Sequence, residues 1–493
     1  MAKQKRRRKQ QPANVKIAII GGGALGWTPS IVTDLALNED LGGRIVLFDI
    51  DPVPLSIMKR YCRAIVEHRN AGGRFKLSAT QDRREALRGA DFVVITISVG
   101  GLAMMGHDLN IPWKFGIMQS VGDTVGPGGL FRSLRNVPVF KRIADDILRY
   151  CPDAWTINYT NPMTVLTRTL TQHGVKAIGC CHEVFGAKHL IAQLANKTLG
   201  RRGLTRYDVD AVVIGINHCT VFTKATVAGS DALEMIRRHM TEPGVVRKYG
   251  RGELDKAKGL FARHQVKLEL LRRYGAFGAS GDRHLVEFFP GYLTPKTLEG
   301  NRWGVVVTTI EDRINSKQTG LAERRAQLRN RRGLARQPLT KSGEEASEMM
   351  ACLIGRRTMR ANVNRPNIGQ ISNLPANVVV ETDAWLTQDR IDPICSGPVP
   401  DGLLPWYQRH VTNQESTIEA ALTGDRDLAM QVLLNDPLVA DHDDAEKMFA
   451  QMLRAQADYL PAFLPRRKVR RRRRDASKLA AIHGALACGL AYG

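Results

Sequence analysis

Cys181-His182 and Asn217-His218 are the two pairs in this sequence best suited to hold a metal. A thiolate and an imidazole suit a borderline divalent ion, and two protein ligands leave positions for water or substrate oxygens, as in a catalytic site. A Cys-His pair is equally at home in an ordinary core, so the reading depends on where the chain puts it. Residues 119–135 form a glycine-rich loop with Asp123, Arg132 and Arg135 that runs into a helix. Glycine at that density lets a ligand approach the backbone closely. Asn158-Tyr159-Thr160-Asn161-Pro162 adds side-chain amides at the end of a strand.

Gly21-Gly22-Gly23-Ala24-Leu25-Gly26 fits G-x-G-x-x-G, with Gly21, Gly23 and Gly26 at the three positions. Alone the pattern is weak, because a glycine-rich chain matches it by chance. Here it follows an apolar strand and opens a helix, the context in which backbone N–H groups and the helix dipole hold a pyrophosphate. Asp49 ends the next strand about 20 residues further on, where a ribose-binding acid belongs. An acid there repels a 2′-phosphate, so the expected cofactor is NAD.

The elements that carry these residues follow from periodicity. Residues 15–20, 44–50, 91–98, 154–157, 175–179 and 208–215 read as strands. Residues 54–68 and 130–150 read as helices, with Ile57, Tyr61 and Ile65 at helical spacing in the first. Apolar strands alternating with helices imply a parallel sheet covered on both faces. The Cys181 and His218 segments both follow strands, at the edge where such sheets bind ligands. Beyond about residue 220 the chain becomes more helical and less regular. Residues 324–341, with Gly333 and Pro338, read as an exposed loop, while 415–435 and 442–459 have helical spacing. No internal repeat is present. The expected organisation is a basic disordered tail (1–14), an NAD-binding Rossmann domain (15–205), a substrate, metal and oligomerisation domain (206–462) and a basic C-terminal tail (463–493).

Bulk composition agrees. A chain of 493 residues that is 43% hydrophobic supports a sizeable core and is long enough for two domains or one domain with a large appended half. No apolar run approaches the roughly 20 residues that span a bilayer, and the apolar stretch after the basic start is too short for a secretory signal. Eight cysteines in so long a chain are not a disulfide framework. The expected setting is the cytoplasm. A net charge of +24 is concentrated at residues 3–9, 324–336 and 466–474. No aromatic residue interleaves the terminal runs, so they read as solvated tails with nonspecific polyanion contact, not as a base-stacking surface.

Taken together, the glycine fingerprint, Val121-Gly122-Asp123-Thr124 with Gly126-Pro127-Gly128-Gly129, Thr160-Asn161-Pro162, Cys181-His182 and Gly215-Ile216-Asn217-His218 resemble glycoside hydrolase family 4. These are NAD- and divalent-metal-dependent glycosidases, outside the two-carboxylate scheme of most glycoside hydrolysis. Cys181-His182-Glu183 and the segment from Gly281-Asp282-Arg283-His284 to Pro290 are most similar to the alpha-galacturonidase and alpha-glucuronidase branch. The resemblance implies an α/β fold, a Rossmann domain followed by an α+β C-terminal domain of the lactate/malate dehydrogenase kind. It implies manganese on Cys181 and His218, substrate contacts from Asn161, Asn217, Arg283 and His284, and a homo-dimer or tetramer. It also implies oxidation at sugar C3, proton loss at C2, expulsion of the C1 substituent, addition of water and return of the hydride. His182 and Asp282 join the catalytic candidates, His182 as acid or hydroxyl partner. The family's tyrosine base falls at Ala276 in this chain, so Tyr274, a metal-bound hydroxide or another residue is the base. A uronate carboxylate calls for a guanidinium, and Arg283 is the candidate, against the reading of one surface arginine among many. The alternative is an NAD-dependent hydroxy-acid dehydrogenase on the same fold.

Overall fold

The computed structural model describes residues 11–299 and 301–464, so the basic runs at 3–9 and 466–474 lie outside the described residues. Its main sheet has nine strands. Strands β1 (Ala13–Ile20), β2 (Leu41–Phe48), β3 (Phe75–Thr80), β4 (Phe92–Ile95), β5 (Trp155–Asn158) and β6 (Ala177–Gly179) are parallel, in the order β3-β2-β1-β4-β5-β6. The second sheet is antiparallel and holds β7 (Val209–Ile216), β8 (Cys219–Val227), β9 (Ser230–Asp231) and β10 (Phe277–Gly278). Strands β11 (Met359–Pro366), β12 (Val379–Thr387) and β13 (Arg390–Pro393) then return to extend the main sheet beyond β6, all antiparallel.

The continuous apolar runs have a simple cause. Successive side chains of a strand point to opposite faces, and both faces of this sheet are covered. Ala18 and Ile20 pack on one side with the helix Gly126–Tyr150, whereas Ile17 and Ile19 pack on the other with the helices Trp27–Leu37 and Pro52–Val66.

Several expectations are corrected. Ala13 and Asn14, assigned to the N-terminal tail, already pair with Leu41 and Gly42, and Phe463, assigned to the C-terminal tail, is buried in the core. Residues 324–341 are largely helical, in Ile310–Arg329 and Arg331–Arg336. Thr309 caps the first helix, and Leu321, Leu328 and Leu334 pack on the core, while Arg324 donates to the Tyr61 hydroxyl at 2.8 Å and Arg325, Arg329, Arg332 and Arg336 are exposed. The boundary at residue 205 separates the sheets by sequence, yet β11–β13 cross back over it. Arg360 ties the two sheets together, donating to Asp383 at 2.8 Å and to Asp210 at 2.6 Å.

Arg135 faces the interior, not a ligand. Its guanidinium meets Asp108 in a two-pronged pair at 2.8 and 2.6 Å, with 1% and 0% side-chain exposure. Removing one partner strands a buried charge, so Arg135→Met lowers unfolding free energy by about 3–5 kcal/mol. Urea unfolding checks this, and adding Asp108→Leu recovers part of the loss.

Candidate active site

The glycine turn leaves β1 with Gly21 at φ +96°, where an added Cβ would collide with the Thr96 carbonyl oxygen. Gly23 N donates to Asp49 Oδ2 at 2.9 Å, so the acid at the end of β2 also fixes the turn. Gly26 stands at the N-cap of Trp27–Leu37, and an added Cβ there meets nothing within 4 Å. That helix has no side-chain cap and no acid in its first turn, which leaves its N–H groups and dipole available to an anion.

A second polar centre is built from three elements. Asp123 lies in the loop before Gly126–Tyr150, His218 in the two-residue turn between β7 and β8, and His284 in the short helix Asp282–Leu285. Their ligand atoms all lie within 4.8 Å of one another. The imidazoles of His218 and His284 stack with centroids 3.6 Å apart. Thr124 Oγ1 sits 2.8 Å from His218 Nδ1, and Asn161 Nδ2 donates to Asp123 Oδ2 at 3.0 Å. Arg132 Nε in turn donates to the Asn161 carbonyl at 3.0 Å.

The electrostatics suit a cation. Burial alone would raise the Asp123 carboxyl, but His218, His284 and Arg132 hold it well below the usual carboxylate range. Burial, followed by the neighbouring His284, pushes His218 down to about 3, and burial likewise lowers His284. The centre therefore presents one carboxylate and two neutral imidazoles, all in ligating form near neutrality. Asn161 Oδ1, Asn217 Oδ1 and His284 Nδ1 are buried without a partner among the described residues. Unpaired buried polar atoms are costly in a finished core and expected where a ligand completes the set.

Glu287 holds the loop from behind, accepting from Val121 N at 2.7 Å and Gly122 N at 2.9 Å. Burial pushes its carboxyl up to about 8, against an ordinary value of about 4.3. A raised folded-state value gives stability that is complete below the unfolded value and lost as pH climbs through the folded one. Glu287 therefore contributes stability that declines as pH rises from 5 to 9, and the melting temperature of Glu287→Gln should fall less over that range than that of the wild type.

The remaining candidates divide. Cys181 is buried just beyond β6 and is hydrogen-bonded by the Asn217 side chain, next to His218, but is not part of the Asp123–His218–His284 group. Asn217 also donates to the buried Glu381 at 3.0 Å. His182 is half-exposed, with Nδ1 3.1 Å from Glu344 Oε1 and its ring 6.1 Å from Trp27, beside the glycine turn. Its hydrogen bond to Glu344 raises its pKa. Asp282 is a structural cap, accepting from Val266 N at 2.7 Å at the start of Gln265–Tyr274 and pairing with buried Lys267 at 3.3 Å. Arg283 is exposed and donates to Thr308, while its carbonyl accepts from Ser120. Tyr274 lines a different pocket, beside Tyr292 and Trp406.

Asp123 entered the sequence reading only as part of a glycine-rich loop, and Glu183 only as part of a motif. Glu183 accepts from Gly281 N and stands 3.9 Å from His284 Nε2. Burial would raise it, but His284, His218 and Lys267 hold it below its usual value. Its adjacency to Cys181-His182 was the signal that could have found it.

A Rossmann-type sheet, a glycine cradle with its acid, and a largely buried Asp–His–His centre define an enzyme of the dinucleotide-fold class with a metal-capable site. The chain belongs to the family 4 glycosyl hydrolases: the family matches residues 16–197 and its C-terminal domain matches residues 213–439. It is accordingly a glycoside hydrolase, and the dehydrogenase alternative is set aside. It is 41% identical over 442 residues to an alpha-galacturonidase of Bacillus subtilis, covering 89% of this chain and 97% of that one. An alpha-galacturonidase of Thermoanaerobacter italicus is 38% identical over 453 residues, covering 90% and 97%. The crystal structure of lplD from Bacillus subtilis superposes with a TM-score of 0.82 at 41% identity, covering 89% and 100%. A 6-phospho-beta glucosidase of Thermotoga maritima, solved with manganese, NAD+ and glucose-6-phosphate, shares the fold at TM-score 0.70 and 23% identity, covering 90% and 99%.

Proposed function

We propose that this chain hydrolyses alpha-galacturonides, using NAD and a divalent cation, manganese first, as a cytoplasmic homo-dimer or tetramer. The observation that carries the reading is the largely buried centre of Asp123, His218 and His284, with Asn161 hydrogen-bonded to Asp123 and the Asn161 Oδ1 and Asn217 Oδ1 atoms without a partner among the described residues. The named relatives at 37–41% identity supply the substrate class.

The residues fit both groups. The uncapped helix start behind Gly26 and the ribose-type acid Asp49 suit a dinucleotide. His218 with Cys181 or with Asp123 and His284 supplies soft and hard donors for a divalent ion. When bound, NAD and the cation supply a hydride acceptor and a Lewis acid, the chemistry of an oxidation–elimination–addition–reduction route with no net redox change.

The chain's own side chains do the rest. Asn161 and Asn217 orient sugar hydroxyls through their unpaired amide oxygens, with Arg132 bracing Asn161 from behind. Arg283 pairs with the uronate carboxylate. His182, with a proton on its ring supported by Glu344, delivers that proton to the leaving oxygen. For the base at C2, Glu183 fits better than Tyr274: it is a partly buried carboxylate 3.9 Å from His284, whereas Tyr274 lines another pocket. Asp282 acts as a positioning residue that fixes the segment bearing Arg283 and His284.

The test is release of 4-nitrophenol from alpha-galacturonide and alpha-glucuronide, with NAD+, manganese and reductant each supplied or withheld. Hydrolysis of the galacturonide that needs both NAD+ and the metal is expected, without accumulation of NADH. Turnover indifferent to both, or one NADH per product, overturns the reading.

A further inference from the structure

The mechanism leaves unused an aromatic pocket of about 220 Å³, lined by Glu269, Tyr274, Phe289, Tyr292, Trp303 and Trp406. None of these residues is in hydrogen-bond or ring contact with Asp123, His218 or His284 among the described residues. We infer that this pocket is a second binding site for an acidic sugar, one uronate ring stacked among Tyr292, Trp303 and Trp406. The choice of a uronate rests on the proposed substrate class; the pocket itself does not.

Three observations carry it. The first is the lining: Tyr274, Tyr292, Trp303 and Trp406 are all partly exposed, in a chain where only 6% of residues are aromatic. Tyr292 meets Trp303 edge-on at 4.7 Å and Phe289 meets Trp406 at 6.1 Å, so the rings brace one another as fixed platforms. Flat apolar faces with polar edges suit a sugar ring, whose C–H groups stack while its hydroxyls stay wet. The second is charge. Lys248 stands over Trp303 and Arg409 over Trp406. Arg272, Arg273 and Arg302 act on Lys248 as well, whereas the one acid of the wall, Glu269, is already held by Arg272 and Arg273. Cations therefore outnumber the one acid at the rim: burial pulls Lys248 down to about 8, with Glu269 opposing the shift and Arg302, Arg272 and Arg273 adding to it. An arriving carboxylate relieves that crowding. The third is size. The volume falls below the roughly 300–1,000 Å³ that encloses a drug-sized ligand, which limits the occupant to about one ring.

The full-length holoenzyme is titrated with D-galacturonate at physiological ionic strength, following heat and tryptophan fluorescence together, with D-glucose as the neutral control. Two binding events per chain are expected for galacturonate, one at the catalytic centre and one here. The double variant Trp303→Ala/Trp406→Ala loses the second event. The exposed-charge variant Lys248→Glu/Arg409→Glu, which leaves the rings in place, weakens it by about tenfold or more. Both keep turnover of 4-nitrophenyl alpha-galacturonide within about twofold. A single event in the wild type overturns the site. So does sedimentation in which the tryptophan variant falls from oligomer to monomer, which would assign the pocket to a second copy of the chain. Two events in an enzyme that fails to cleave the galacturonide would sink the proposed activity alone.

Discussion

His218→Asn lowers hydrolysis of an alpha-galacturonide by about a thousandfold or more and removes bound manganese with it. A thousandfold is about 4 kcal/mol of transition-state stabilisation, the scale at which a Lewis acid acts on a developing oxyanion. His218 is the position through which every reading of the metal passes, with Cys181 or with Asp123 and His284. Asparagine is the informative replacement because His218 has φ 66° in the β7–β8 turn. Asparagine tolerates that left-handed conformation, whereas alanine adds strain. The variant should therefore melt within a few degrees of wild type, and metal analysis with steady-state rates separates lost chemistry from lost folding. Retention of metal and of rate would remove His218 from the site.

The same preparation distinguishes the two ligand sets. Both Asp123 oxygens already have donors, Thr124 at 2.7 Å and Asn161 at 3.0 Å, which suits a carboxylate that orients its neighbours. Cys181 has Asn217 beside it and is otherwise buried. Cobalt-substituted enzyme is expected to show a thiolate-to-metal charge-transfer band that Cys181→Ser abolishes, with Asp123→Asn weakening metal affinity to a smaller degree. No band in the wild type would assign the ion to Asp123, His218 and His284 alone.

Legibility in the sequence followed the strength of local signals. The strands that run through both cores, such as residues 15–20, are uniformly apolar and stand out. The strand β11 alternates apolar Met359, Ala361 and Val363 with polar Arg360, Asn362 and Asn364, a strand's period of two, but lacks the continuous apolar run by which the neighbouring strands stand out. The helix Ile310–Arg329 has an apolar side too sparse to register among its charges, and its arginines read as a loop. The motifs of the site were visible because glycine, cysteine and histidine are read by type. The grouping of Asp123, His218 and His284 was not, because it joins three elements separated by about 160 residues and depends on how the second sheet packs. Asp282 shows the opposite error: it stands next to the candidates in sequence, but its carboxylate turns inward to cap a neighbouring helix.

Asp49→Ala weakens NAD binding by about 10- to 100-fold, the equivalent of one or two hydrogen bonds to a charged acceptor at about 1.5–3 kcal/mol. The complication is that Asp49 has a second task. Its Oδ2 accepts from Gly23 N at 2.9 Å and its Oδ1 from Asp51 N at 3.0 Å, so alanine loosens the turn as well as removing the ribose contact. Asp49→Asn separates the two. Its amide oxygen still accepts from Gly23, so only the bond from Asp51 N is given up and the turn at Gly23 is kept, while the charge that repels a 2′-phosphate is gone. The expected outcome is an NAD dissociation constant raised by about tenfold and NADP, bound poorly by the wild type, gaining on NAD. Calorimetric titration of both cofactors into the three proteins reads the difference directly. Equal affinity of the wild type for NAD and NADP would mean that the acid at the end of β2 only holds the glycine turn and never meets the ribose.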